Sequence, residues 1–310
     1  MSPPTLLAVP NVSEGRDTGL IERLGHAIAT PGAHDGAGGA RLLDVHSDGD
    51  HDRSVFTFAA RPRALADAAL GLAGMAVEAI DIGAQGRRGQ HPHVGALDVA
   101  PVVYLRPEDR GAACAEALVI AERIGTDLQV PVFLYGELTA QEPGGGRTRA
   151  DLRRGGITGL TARMAGGGAA EERLAPDFGP PAPHPSAGVT LVAARPPLVA
   201  FNLQLAPPAG LQDARRIAGL VREGGSEGLP GLRAIGIELT GGVAQVSMNV
   251  ERPFEVPLAE VVKAVARHAE LSDAELVGLV PETAMEGFPG DLQMPGFDPA
   301  RHVIENALGS

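Results

Sequence analysis

The residues richest in chemistry form one short loop, Arg87-Arg88-Gly89-Gln90-His91-Pro92-His93-Val94-Gly95. Histidine gives and takes protons most readily near neutral pH. Gly89 and Gly95 let the backbone approach a ligand closely, and Pro92 holds His91 extended. Residue chemistry alone leaves an ordinary surface loop as an equal alternative. A second cluster, Asp44-Val45-His46-Ser47-Asp48-Gly49-Asp50-His51-Asp52-Arg53, has the donor types of a metal site. It fails the calcium-loop template, because Arg53 stands where glycine is needed and Ala59 where the bidentate glutamate is needed. A zinc or iron site on His46, Asp48 and His51 needs ligands from elsewhere. A solvated acidic turn is the favoured reading. Arg53, at a strand start, is suited to holding a carboxylate bidentately. The glycine runs at 144–146 and 166–168 lack the Gly-Lys-Ser/Thr ending of a phosphate loop. Neither a Gly-x-Ser-x-Gly elbow nor a His-Glu-x-x-His pair occurs.

These residues need elements to hold them. Leu6 to Val12 reads as a strand, followed by a helix over Leu20 to Ala29 that Ser13 or Asp17 caps. Strands near Leu42 and Val55 flank the acidic turn. Pro62 opens an alanine-rich helix through Val77. A strand near Val102, a helix from Glu108 to Ile124 and a strand near Phe133 come next. Residues 141–175 read as loop with one short helix over Ile157 to Met164. A proline-rich stretch then leads into a strand near Leu191. From Pro196 the order is strand (Leu198 to Leu205), helix (Leu211 to Gly224), hairpin across Thr240-Gly241-Gly242, helix (Pro257 to Leu271) and strand (Ala274 to Pro281). Both halves therefore fit a split βαβ, ferredoxin-like order. The expectation is an α+β fold of two βαββαβ subdomains, 1–195 and 196–310, joined near Arg195-Pro196-Pro197. Each sheet is expected to be antiparallel with helices on one face, and a ligand cleft is expected between the subdomains.

Composition sets outer limits. The chain has 310 residues, a net charge of −12 and 44 % hydrophobic residues, enough for a core in each half. The acidic balance argues against nucleic acid and against anionic membrane surfaces. No long apolar run predicts a membrane span, and the N-terminus lacks signal-peptide features. One cysteine, Cys114, excludes an internal disulfide and a cysteine-based zinc site. A cytoplasmic location fits.

A set of segments, in order along the chain, carries a family resemblance. They are Val9 to Arg16, Asp50 to Val55, Gly89 to Val99, Val130 to Glu137, Ala175 to Pro180, Leu198 to Asn202, Gln245 to Asn249 and Leu276 to Pro281. Together they resemble the glutamate formimidoyltransferase family, the transferase part of formimidoyltransferase-cyclodeaminase. The resemblance implies N- and C-terminal formimidoyltransferase subdomains and transfer of a formimidoyl group from N-formimidoyl-L-glutamate to N5 of tetrahydrofolate. That chemistry belongs to histidine degradation and one-carbon metabolism. Tetrahydrofolate is then a cosubstrate, no metal is expected, and a homodimer is favoured. A diverged folate-binding paralogue without this activity is the alternative.

The resemblance places the acid/base on His91 and the folate-binding loop on Gly179, Pro180, Pro181, Ala182, Pro183, His184, Pro185, Ser186, Ala187 and Gly188. Further substrate contacts are expected at Asn11, Ser13, Arg16, Arg53, His93, Gly95, Asn202 and Asn249. Carboxylate-holding arginines are expected among Arg16, Arg53, Arg87, Arg88 and Arg195. The sequence departs from the family at Gln90, where a glutamate is usual, and at His93, where an arginine is. It also departs at Arg87, usually histidine, and at Asp52, usually asparagine. Gln90 brings no negative charge to His91, and His93 lacks the arginine fork.

Overall fold

Leu6–Ala8 (β1) and Asn11–Val12 (β2) are two pieces of one strand. Both keep the same antiparallel register against Arg53–Ala60 (β4), with Leu6 opposite Ala60 and Val12 opposite Ser54. Pro10 between them has no N–H for the ladder, although its carbonyl still accepts from the Phe56 amide at 3.0 Å. Thr18–Ala29 (α1), Arg41–Asp48 (β3), Ala64–Ala79 (α2) and Leu97–Val103 (β5) complete the first βαββαβ unit. Its strands lie in the order β3, β4, β1/β2, β5, all antiparallel, as the split βαβ arrangement requires. The computed structural model describes residues 3–29, 39–83, 93–140, 146–166 and 174–309.

The chain then extends this sheet. A 3-10 turn at Pro107–Asp109 leads into Arg110–Asp127 (α3), followed by Val132–Gly136 (β6), Arg149–Arg153 (α4), Gly156–Met164 (α5) and Thr190–Arg195 (β7). Strand β7 inserts between β5 and β6, parallel to both. The sheet is therefore mixed. Alternation along its strands feeds two cores. Val102, Leu134 and Val192 join residues of α1, α2 and α3 on one face. Val99, Phe133, Tyr135 and Leu191 join Leu152 of α4 and Leu160 and Met164 of α5 on the other. Helices on one face only, the expectation for this half, is thus corrected: the parallel addition buries both faces of its strands.

Local corrections follow the same physics. Asp17 alone caps α1, its carboxylate accepting from the Leu20 amide at 2.9 Å, whereas Ser13 is used elsewhere. Helix α2 starts at Ala64, not at Pro62, because Arg63 takes a positive φ of 73°. The stretch expected to be mostly loop holds α4 as well as α5.

The second unit contains Val199–Leu205 (β8), Leu211–Val221 (α6), Leu232–Glu238 (β9), Ala244–Val250 (β10), Leu258–Ala266 (α7) and Leu271–Val277 (β11). Its antiparallel order β11, β8, β10, β9 repeats the split βαβ topology. The turn between β9 and β10 uses Gly241 and Gly242 at positive φ. Helix α7 stops at Ala266 and Leu271 already belongs to β11, so helix and strand divide earlier than their apolar pattern suggested. Pro299–His302 (α8) and Ile304–Leu308 (α9) end the described chain. By internal contacts the chain separates into Met1–Pro196 and Pro197–Ser310. Among the described residues, no helix is long and apolar enough to cross a membrane.

Candidate active site

The loop that carries His91, together with Arg87, Arg88, Gln90 and Pro92, lies outside the described residues. The anchors on either side of it are described. Before it, the Ile82 amide donates to the Ser186 carbonyl at 3.0 Å. After it, Val94 accepts from the Val189 amide at 3.0 Å, and the Ala96 amide donates to Ala187 at 2.9 Å. Gly95 and Gly188 bridge these two segments. A Cβ on Gly95 would overlap the Val189 carbonyl, and one on Gly188 would overlap the Val94 carbonyl. Only glycine permits so close a pass. Ser13 locks the junction from β2, its hydroxyl donating to the Gly95 carbonyl at 2.7 Å and its amide to Ala96 at 2.9 Å. Asp98 on β5, almost fully buried, accepts from the Val94 amide at 2.7 Å and is ion-paired to Arg153 of α4.

Beside this junction Ser13, His51, Asp52, Arg53, His93 and Asp98 line a small recess. The β3–β4 turn supplies three of them. His51 is buried, and its Nδ1 lies 2.5 Å from Asp48 Oδ2. Burial works to raise the Asp48 carboxyl, but the hydrogen bonds and charge of His51 and the Asp50 amide outweigh it. The carboxyl sits well below the ordinary range. Asp52 adopts a left-handed φ of 49°, which turns the chain into Arg53 at the start of β4. Arg16 holds the outside of the turn: Nε and Nη2 donate to the Gly49 carbonyl at 2.9 and 2.8 Å, and Nε lies 3.8 Å from Asp52 Oδ1. Burial, then the charge of Arg153, pulls the Arg53 guanidinium down to about 10, with Asp98 and Asp48 acting the other way. Among the described residues no cluster of three or more metal-binding side chains forms.

Residues 5–195 match the family model described as the formiminotransferase domain, N-terminal subdomain. A glutamate formimidoyltransferase of Streptococcus pyogenes serotype M1 is 35 % identical, covering 97 % of both chains. The chain belongs to the formimidoyltransferase family. A glutamate formimidoyltransferase of Thermoplasma acidophilum is 33 % identical over 97 % of this chain and 96 % of its own. The formimidoyltransferase-cyclodeaminase of Gallus gallus is 38 % identical over 89 % of this chain, which spans only 50 % of that longer protein. The chain is therefore an enzyme of the transferase class, and formimidoyl transfer is its general chemistry.

Within this formimidoyltransferase the expected site residues separate into groups. Ser13, Arg53 and His93 meet in the recess, and Gly95 forms the junction beneath it. Asn11 is buried in β2 between β4 and β5. Asn202 and Asn249 stand on β8 and β10 of the second unit, where the Asn202 amide donates to Glu275 at 2.8 Å. The segment 179–188 divides in two. Gly179, Pro181, Ala182 and Pro185 are exposed, while Ala187 and Gly188 are buried in the brace described above. His184 shapes that brace, its Nδ1 accepting from the Ala187 amide at 3.1 Å. The neighbouring Asp177 covers the outer edge of β6, accepting from the Leu134 amide at 2.8 Å and from Arg147 at 2.5 Å.

Asp98, and Arg153 that pairs with it, were not expected at the site. One signal was present. Thr148 caps α4 by accepting from the Asp151 amide at 3.1 Å, and Thr-x-x-Asp is the pattern of a helix start. It would have put Arg149 and Arg153 one turn apart on one face.

Proposed function

We propose that this formimidoyltransferase moves the formimidoyl group of N-formimidoyl-L-glutamate to N5 of tetrahydrofolate, with His91 as the proton-transferring residue. The observation that carries this reading is the likeness to proteins named glutamate formimidoyltransferase over 97 % of the chain. The anchoring of residues 82 and 94–96 supports it, since two flexible substrates must meet a fixed acid/base. N5 attacks the formimidoyl carbon and loses a proton, and the departing glutamate nitrogen gains one as its bond to that carbon breaks. A single imidazole can take the first proton and return the second. The exposed part of segment 179–188 is cast as folate-binding surface. Its prolines leave little order to lose on binding. The setting proposed is the cytoplasm and a homodimer, on family likeness.

The test is turnover of N-formimidoyl-L-glutamate with tetrahydrofolate. His91→Ala should lower kcat by about 10²-fold or more, with little change in folate affinity. His93→Ala should act mainly on the Michaelis constant of the donor. Turnover by the wild type with full rate retained in His91→Ala would put the proton transfer elsewhere. Folate binding without turnover would instead favour a diverged folate-binding paralogue, the outcome that Gln90 and His93 would explain.

A further inference from the structure

One buried imidazole at the recess has no part in the transfer so far. His51 is 5 % exposed, yet it lines the recess with Ser13, Arg53, His93 and Asp98. Its Nδ1 lies 2.5 Å from Asp48 Oδ2, and Asp48 Oδ1 accepts from the amides of Asp50 and His51. The Asp48 carboxyl is held well below the ordinary range, so at neutral pH it is ionised and can only accept. Nδ1 therefore donates to Asp48, and Nε2 is the ring nitrogen that can pass a proton to a substrate. A carboxylate that fixes the tautomer and direction of an imidazole is how a histidine acid/base is held. The surrounding turn is braced as well. A Cβ on Gly15 would overlap the Asp48 carbonyl. The Ser54 hydroxyl donates to the Glu14 carbonyl at 2.6 Å, and Arg16 donates to the Gly49 carbonyl. Proton transfer needs a ring fixed in this way.

We propose that His51 is a second proton-transferring residue, which protonates the departing glutamate nitrogen while His91 takes the proton of N5. The role rests on the proposed transfer reaction and divides its proton work between two residues. As N5 bonds to the formimidoyl carbon, its proton passes to His91. As the bond from that carbon to the glutamate nitrogen breaks, the electron pair stays on the nitrogen, which takes a proton from His51 Nε2. One imidazole ends with a proton more and the other with one fewer, and exchange with solvent restores both. Two rings spare a single imidazole from turning between two nitrogens bonded to one carbon. The sequence agrees with the division: Gln90, beside His91, is not a carboxylate, whereas His51 has Asp48. Asp48 acts through His51 and is a positioning residue.

The test compares kcat of the full chain with two donors, N-formimidoyl-L-glutamate and its 4,4-difluoro analogue. The fluorines keep the shape of the donor but make the departing amine less basic, so it needs less help from an acid. His51→Asn keeps a donor for Asp48 and has no counterpart of Nε2. It should lower kcat by about 10²-fold with the natural donor, and by about tenfold or less with the fluorinated one. Asp48→Asn should show the same dependence on the donor with a smaller loss, and is the readout if His51→Asn fails to fold. Thermal melts matching the wild type exclude misfolding. Losses equal for the two donors, or full rates in both variants, would overturn the role of His51 and leave the transfer reaction standing. A wild type that turns over neither donor would overturn the transfer reaction and this role with it.

Discussion

Asp48 sets the geometry of the β3–β4 turn through three contacts. Its Oδ1 accepts from the amides of Asp50 and His51 at 2.7 and 3.1 Å, and its Oδ2 meets His51 Nδ1 at 2.5 Å. The same turn delivers His51, Asp52 and Arg53 to the recess, so the carboxylate positions a site as well as a loop. The Asp48 carboxyl is held below the ordinary carboxylate value in the folded protein. Its contribution to stability is then complete above the unfolded value of about 4, and is lost as pH falls through the folded value. Asp48→Asn should cost roughly 1–3 kcal/mol at neutral pH. Denaturant unfolding at several pH values should show that cost shrinking as the pH drops below about 4. An equal cost at pH 2 and pH 7 would mean that the charge plays no part. The acidic turn was legible in the sequence, because acids and glycine interrupt two apolar strands. Which acid is paired was not, because turn geometry decides it.

Helix α2 begins without a capping side chain of its own. Glu116, buried on α3, supplies the acceptor instead: its Oε1 takes the amides of Arg63 at 2.7 Å and Ala66 at 2.9 Å. This contact ties two helices that share the core behind β5. Burial raises the Glu116 pKa, and the two amides only partly oppose it. Glu116→Ala should destabilise by about 1–3 kcal/mol, since it leaves buried N–H groups unpaired. Glu116→Gln keeps an acceptor and should cost less. Because the folded pKa is raised, the stability due to the proton on Glu116 is present below the unfolded Glu value. It is lost as pH rises through the folded one. The wild type should therefore weaken relative to Glu116→Gln across that interval in chemical denaturation. Identical pH profiles would contradict the burial argument. The strands and long helices of both units were legible from their apolar periods, as in β8 and β10. Helix α4 was not: it has five residues, of which only Leu152 is buried. The place of β7 between β5 and β6 was hidden too, because strand order is a non-local property. Asp98 and Arg153 join across the sequence in the same way, and no local pattern announces them.

The chain as a whole carries separate apolar centres. The core built on β8, β10, α6 and α7 draws its residues from Val199 to Val303. The cores around β5, β6 and β7 draw theirs from Leu6 to Ala194. The join at Pro196–Pro197 has no N–H on either residue, so no backbone hydrogen bond can be donated there. Two βαββαβ units with their own cores should differ in local stability, even when linked in one chain. Phe201 tests this. It is fully buried in β8, and its ring meets that of Phe288 edge-on, with centroids 6.1 Å apart. Phe201→Ala should cost about 3–5 kcal/mol through lost apolar transfer and the cavity left behind. Hydrogen exchange read peptide by peptide should show protection falling in β8 to β11. The amides of β4, β5 and β7 should keep theirs, and so should the junction at Gly95 and Gly188. The recess that Arg53 lines lies in the first unit, so the amides that brace it should stay protected under conditions where the variant remains folded. A uniform loss of protection across both units would show instead that the two cores unfold as one.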